Sequence, residues 1–475
     1  MAVNMTYILK SVWRITVNRR AAAPIVGLWC AISVSASAAF DLQRRIQQAP
    51  EGSVVLVPSG IHLGQFVVDR TLTLEGEPGA ILDAQGRGDV LKITAPNVTV
   101  RGLTIRGTGD SLDRENAGVT ILAPNTTIEF NTLEDVLFGV YLKKAPGSVL
   151  RGNTIGGKNL KVQRRGDGIR LWESPGTLIE DNVITRSRDV VMWFSEDVVI
   201  RRNHISHGRY GLHFMYSDSN ILEENVIERN SVGAFLMYSR DLSLRRNRFE
   251  RNRGPTGYGV GLKDVDGVIA EDNIFIGNRI GVFLDNSPSQ VGVHHDFKHN
   301  VVAYNDIGIA FMPSVQRNRI SDNAFIDNIE QIGIMGGGTF QGNDFTVDGR
   351  GNYWSDYVGY DLDHDGIGDL EHRSEGLFEN LMDRDPKMRL FLFSPAQQAI
   401  EMAARAFPAV RPRPKFIDTA PLMTSTNHDL PPQPTSAAGP MAALSTALLV
   451  GSFAVLVSGR SQRNKGVNAR QGAST

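Results

Sequence analysis

Asn203-His-Ile-Ser-His-Gly-Arg-Tyr-Gly-Leu-His-Phe-Met-Tyr-Ser217 is followed, 22 residues on, by Asn225-Val-Ile-Glu-Arg-Asn-Ser-Val-Gly-Ala-Phe-Leu-Met-Tyr-Ser239. Each stretch opens with an Asn-x-apolar triplet and closes on a Gly-apolar-x-apolar run. The triplet recurs upstream as Asn131-Thr-Leu133, Asn153-Thr-Ile155 and Asn182-Val-Ile184. Downstream it returns as Asn247-Arg-Phe249, Asn273-Ile-Phe275, Asn300-Val-Val302, Asn323-Ala-Phe325 and Asn343-Asp-Phe345. The Asn spacings run from 20 to 29 residues. An earlier copy, Val98 to Ile105, has Gly102 in the Asn place. The Gly run appears at Gly139, Gly168, Gly211, Gly233, Gly259, Gly281 and Gly308.

Apolar residues at period two predict strands. Short strands repeating at this spacing predict an all-β solenoid, a right-handed single-stranded parallel β-helix. A β-propeller would need repeats about twice as long. Asn suits a coil corner for two reasons: it tolerates left-handed backbone, and stacked Asn side chains hydrogen-bond along the axis. These Asn residues are therefore read as fold-building, not catalytic. Asp41 to Ala49 reads as a short helix with Leu42 and Ile46 on one face, capping the open end of the core. Val54–Val57 reads as the first core strand.

The 475-residue chain carries a net charge of −1, so nothing in it suggests general nucleic-acid binding. Lys10, Arg14, Arg19 and Arg20, the apolar run Ala21 to Ala36 and Ala36-Ser37-Ala38 follow the order of a secretory signal peptide. Cys30 is the single cysteine and lies inside it. The mature chain would contain none, so soft metal chemistry must use Met and His.

In each Gly run the first and third residues after Gly point inward, and the second and fourth point outward. The central coils then present Trp172, Trp193, His213, Met215, Phe235 and Met237 on one face, with Tyr216 and Tyr238 at the turn and Met312 further along. In the coil of Trp193, Asp189 replaces Gly. An aromatic and Met-rich stripe fits an interaction surface. Met215 and Met237 share a column on adjacent coils beside His213, and thioether with imidazole favours monovalent copper. Packing under a covering loop and a transient partner surface are the competing readings. His294 and His295 stand next in line as donors.

Beyond the coils come Gly351-Asn-Tyr-Trp-Ser-Asp-Tyr357 and Asp361-Leu-Asp363-His-Asp365-Gly366-Ile-Gly368-Asp369. With His213-Phe-Met-Tyr-Ser217, Phe235-Leu-Met-Tyr-Ser239, Arg411-Pro-Arg-Pro-Lys-Phe-Ile-Asp418 and Pro421-Leu-Met423, these residues closely resemble the NosD family over about residues 41–425. The resemblance implies a periplasmic maturation factor for the copper centres of nitrous oxide reductase. It also implies two kinds of partner: the membrane subunits of an ABC transporter, and a lipid-anchored copper chaperone. Independently of it, Asp361, Asp363, Asp365 and Asp369 resemble part of a calcium loop, though His372 stands where the bidentate Glu would be. An acidic hydrogen-bonded turn is the alternative.

Ser394 and Pro395 predict the start of a helix ending near Phe407. Met441 to Val457 is apolar and followed by basic residues, as expected of a transmembrane anchor with an inward-facing end. The expected organisation is a signal peptide over 1–38, a cap over 39–50, coils over 51–346 and an acidic cap block over 347–390. A helix and Pro-rich tail over 391–440, the apolar segment 441–457 and a basic tail over 458–475 complete it. The expected function is copper binding or relay with partner docking, without enzymatic activity. A carbohydrate-active β-helix enzyme is the alternative, but it needs paired carboxylates or a carboxylate–Arg pair in a groove, and the central outward columns offer few carboxylates. A plain structural or adhesive β-helix is the third option.

Overall fold

The structure is a computed structural model that describes residues 41–337, 341–407 and 412–425. The expected signal peptide over 1–38 and the expected anchor over 441–457 lie outside the described residues. Among the described residues, no helix is long and apolar enough to cross a membrane.

From Val54 on, every third strand hydrogen-bonds to its counterpart one coil later. The strands fall into three parallel sheets of 12, 13 and 12 strands, with a separate two-stranded sheet at the end. All the pairings along the stack are parallel, as at Ile205↔Ile227 and Ile227↔Phe249. The solenoid expected from the repeat is therefore present. Each strand turns alternate residues into a core only one side chain thick from each sheet, so like stacks on like. Phe249 and Phe275 stack at 5.3 Å, and Phe325 and Trp354 at 4.3 Å.

The open end is covered by α1, Leu42–Gln48, with Leu42 and Ile46 buried. The first strand of the third sheet, Phe66–Val68, has a free edge. The Gln43 amide closes it, accepting the Val67 N–H at 2.8 Å and donating to the Val67 carbonyl at 3.1 Å.

The Asn ladder runs unbroken from Asn131 to Asn352. At each step the side-chain oxygen accepts two hydrogens from the preceding Asn. The Asn225 Oδ1, for example, takes the Asn203 amide and side chain at 3.0 Å each, while Asn225 Nδ2 donates to the Ile200 carbonyl at 2.8 Å. Three expectations need correction here. The left-handed residue is not the Asn but the one before it: Phe130, Asp181, Arg202, Glu224, Arg246, Asp272, His299 and Asp322 all have φ between +52° and +57°. The turn swings the Asn inward, where its amide replaces backbone hydrogen bonds that the corner cannot make. Gly102 accordingly stands in the left-handed place at φ +70°, and Leu103 occupies the ladder, donating its N–H to Asn131 Oδ1 at 3.0 Å. Asn343 is not in this ladder at all: it accepts from Asn318 at a different corner, and Asn323 pairs with Asn352 instead. The last rung, Tyr353–Trp354, follows that Asn and lies beyond residue 346.

The other end is closed by α2, Leu377–Arg384, a 3₁₀ turn, Pro386–Phe391, and α3, Pro395–Ala406, whose first turn is capped by Ser394. Ile417–Asp418 then returns as a strand against His372–Arg373. This return carries Lys415 into the interior, where its ammonium lies 2.7 Å from both Glu330 and Asp383.

Candidate metal-binding and docking face

The third sheet builds the face. Its strands Ile169–Trp172, Asp189–Trp193, Tyr210–Met215 and Val232–Met237 lie in register, which pairs Trp172 with Trp193, Trp193 with Met215, and Met215 with Met237. His213 lies in the neighbouring outward column, beside Val191 and Phe235. Met215 and Met237 are cross-strand partners about 4.8 Å apart, and His213 lies two residues along the strand from Met215, about 7 Å away, on the same side of the sheet.

The exposure expected of this face is only partly met. Trp172, Trp193, Met215, Phe235, Met237 and Tyr238 are half-buried, and His213 is buried at 8 % exposure. Neighbouring rings cover it. Trp193 meets His213 edge-on at 5.8 Å and Tyr210 does so at 5.0 Å, while Tyr210 also packs on Phe235. His213 Nδ1 is buried without a hydrogen bond, and so is the Trp193 indole nitrogen. At the adjoining corner Phe194, Tyr216 and Tyr238 stack nearly parallel at 5.3 and 5.2 Å. Tyr216 is half exposed there.

Met312 is not brought to this cluster. Lys263 and Asp285, joined by a 2.9 Å ion pair, occupy the coils between it and Met237. Met312 packs with Ile280, Phe283 and Ile307 instead. His295 is fully buried in a strand of the first sheet, its Nδ1 accepting the Val268 amide at 2.9 Å, so that nitrogen is engaged at the corner and the residue is not part of the methionine face.

A buried charge cluster beneath the face was not anticipated. Asp189, in the place of a repeat Gly, is ion-paired with Arg209, accepts the Tyr210 amide at 3.2 Å and lies 3.7 Å from His213 Nδ1. Burial alone would raise its pKa, but the His213 and Arg209 side chains outweigh that and hold it below the usual carboxylate range. One coil earlier, Asp167 is pushed up to about 6 by burial, against the pull of Arg188 and Arg170. Arg170 also lies over the Trp193 ring at 4.9 Å. The replacement of Gly by Asp at 189 was the available signal. Its meaning depended on Arg209, 20 residues away.

Asp361, Asp363 and Asp365 each bring one carboxylate oxygen within 4.8 Å of the others. Their carboxylates also close the turn: Asp361 accepts the His364 and Gly366 amides, and Asp365 the Ile367 amide. Asp369 is not among the three whose oxygens converge, and it accepts the Leu362 amide at 2.8 Å.

The chain is 32% identical over 382 residues to the probable ABC transporter binding protein NosD of Pseudomonas aeruginosa, covering 77% of this chain and 87% of that one. The NosD of Stutzerimonas stutzeri, described in the same words, is 32% identical over 429 residues, covering 86% and 95%. The chain belongs to the NosD family. The family model, described as periplasmic copper-binding protein (NosD), matches residues 151–359. That span of the NosD fold holds the whole aromatic and methionine face and stops short of Asp361. Among solved structures, the A-modules of the Azotobacter vinelandii mannuronan C-5 epimerases AlgE6 and AlgE4 are each 16% identical, with TM-scores of 0.53 and 0.50. They cover 67% and 65% of this chain, and 95% and 94% of their own length. That likeness is one of fold, the parallel β-helix.

Proposed function

We propose that this NosD-family chain is a non-enzymatic periplasmic accessory protein that carries copper as cargo, held by His213, Met215 and Met237, during assembly of the copper centres of nitrous oxide reductase. What supports the reading is the register that sets Met215 beside Met237, two residues along the strand from His213, whose buried Nδ1 makes no hydrogen bond and lies 3.7 Å from Asp189. Soft thioethers with one neutral nitrogen suit monovalent copper, and protonation of the imidazole would release it.

Trp172, Trp193, Phe235, Tyr216 and Tyr238 form the surrounding docking face. Its partners in this reading are ABC transporter membrane subunits, a copper chaperone and nitrous oxide reductase. Met312 is the more distant member of that partner surface. Export by the 1–38 signal and anchoring by 441–457 belong to the same proposal. So does a hard cation such as calcium at Asp361, Asp363 and Asp365, supported by the convergence of their oxygens.

The carbohydrate-enzyme alternative is disfavoured. Glu115 and Glu173 are reachable from solvent, but Glu173 accepts the Trp172 indole N–H at 2.9 Å and Glu115 is paired with Arg170 at 2.7 Å, whereas Asp167 and Asp189 are 0% and 1% exposed and ion-paired to arginines. A sugar polymer cannot reach the two aspartates.

The test is Met215→Leu with Met237→Leu, which keeps volume and removes sulfur. Titrated with monovalent copper against a chromophoric chelator, the double variant should lose binding while its melting curve stays put. Nitrous oxide reductase made alongside it should lack copper. A fully copper-loaded enzyme and unchanged binding would show the two methionines to be packing residues.

A further inference from the structure

A second concave surface lies at the other end of the same strands, where the second sheet turns into the third. Thr185, Ser206, Glu228 and Glu250 share one register column, so the residues after them, Arg186, His207, Arg229 and Arg251, stack coil upon coil. The four sit in left-handed backbone, with φ between +51° and +60°. Gly277 continues the column at φ +65°. Glycine satisfies such a corner with less strain, so the backbone conformation does not account for three arginines and a histidine here.

Two insertions wall this column. The coil between Asn153 and Asn182 is 29 residues long, and its extra residues form the turn Val162–Arg164 leading to Arg165. The coil between Asn247 and Asn273 is 26 residues long and adds the Arg253-Gly254-Pro255 loop. Between them lies a groove of about 590 Å³. Among the described residues that line it there is no carboxylate.

The end walls are held in place. Arg165 donates to the Leu160 carbonyl at 2.8 Å and the His207 carbonyl at 3.1 Å. Arg253 is clamped by both oxygens of Asp306 at 2.8 and 2.9 Å. Burial first, and the nearby Arg186 second, depress the Arg165 pKa. Two carboxylates flank the middle of the groove, Glu228 at 3.6 Å from Arg229 and Glu250 at 3.3 Å from Arg251.

We infer that this groove binds an acidic segment of a partner polypeptide, with its carboxylates forked by Arg186, Arg229 and Arg251. Guanidinium matches carboxylate in a bidentate pair. Three coil steps span about 14 Å, and carboxylates at alternate positions of an extended peptide repeat every ~6.8 Å, so three of them fit the column. Walls at both ends suit a short loop or chain end. A polymer continuing along the axis would have to climb over them. The groove is separate from the methionine face and does not depend on copper.

The test uses fluorescently labelled pentaglutamate, with pentaglutamine as control, on the mature protein. Pentaglutamate should bind, weaken steeply as salt rises, and lose at least tenfold in affinity in Arg186→Gln/Arg229→Gln. The melting curve should stay unchanged because both side chains are exposed. Arg186→Lys/Arg229→Lys should retain part of the binding. Absent binding, or equal binding to the Gln variant, would overturn the inference. So would inorganic phosphate or an oligogalacturonate binding as tightly as the peptide and losing affinity in the same variant, which would mark a small-anion or polysaccharide site.

Discussion

Asp418 accepts the indole N–H of Trp354 at 2.8 Å, across 64 residues of chain. The same oxygen takes the Asn352 amide at 2.7 Å, so the returning tail supplies the acceptor that terminates the Asn ladder. The other oxygen receives the Thr346 hydroxyl at 2.8 Å.

Asp418→Ala should therefore unfasten the C-terminal end. Asp418 is fully buried, and its loss strands at least two buried donors. The cost should be about 3 kcal/mol, read as a lowered thermal midpoint. Earlier protease cleavage after residue 350 should accompany it. An unchanged midpoint would mean that the ladder needs no cap.

Asn225 sits in the middle of the ladder with four side-chain hydrogen bonds. Asn225→Leu should cost about 2–3 kcal/mol, because Asn203 and Asn247 both lose partners they cannot replace. Leu103 shows why a leucine is tolerated only at the first rung: nothing there needs its side chain as an acceptor. Urea melts of the two proteins would decide the point, and equal midpoints would refute it.

His295 makes acid stability measurable. Burial depresses its pKa to about 3, with Asp266 pulling the other way and Arg317 and His294 adding to the depression. The folded ring stays neutral, whereas the unfolded one protonates near pH 6.5. The unfolded state thus binds more protons between those values. The stability contribution is complete above about pH 6.5 and is lost as pH falls towards 3, by at most about 1.4 kcal/mol per pH unit. His295→Asn should flatten this acid limb. Its oxygen can accept the Val268 amide as Asn220 accepts that of Val198. A midpoint-versus-pH profile that matches the unmodified protein's would exclude His295 as the group responsible.

The site was legible to different depths. Met215 and Met237 could be paired from spacing alone, because equal repeat length puts equal positions in one column. The burial of His213 could not, since it depends on Tyr210 and Trp193 closing over the ring. Nor could Asp189 be recognised as the partner of Arg209, because that pair crosses a coil boundary.

By itself, then, the sequence determined the repeat spacing, the strand alternation and the inward columns. Those follow from periodicity, which is local and repeats. It left the left-handed residue misplaced by one, since Asn hydrogen bonding and corner geometry both favour the same short segment. Only tertiary structure decided that Asn343 leaves the ladder, that Asn352 ends it and that Asp418 closes it. A hydrogen bond chooses among acceptors by distance and angle in space, and the 66 residues between Asn352 and Asp418 carry no periodic trace of that choice.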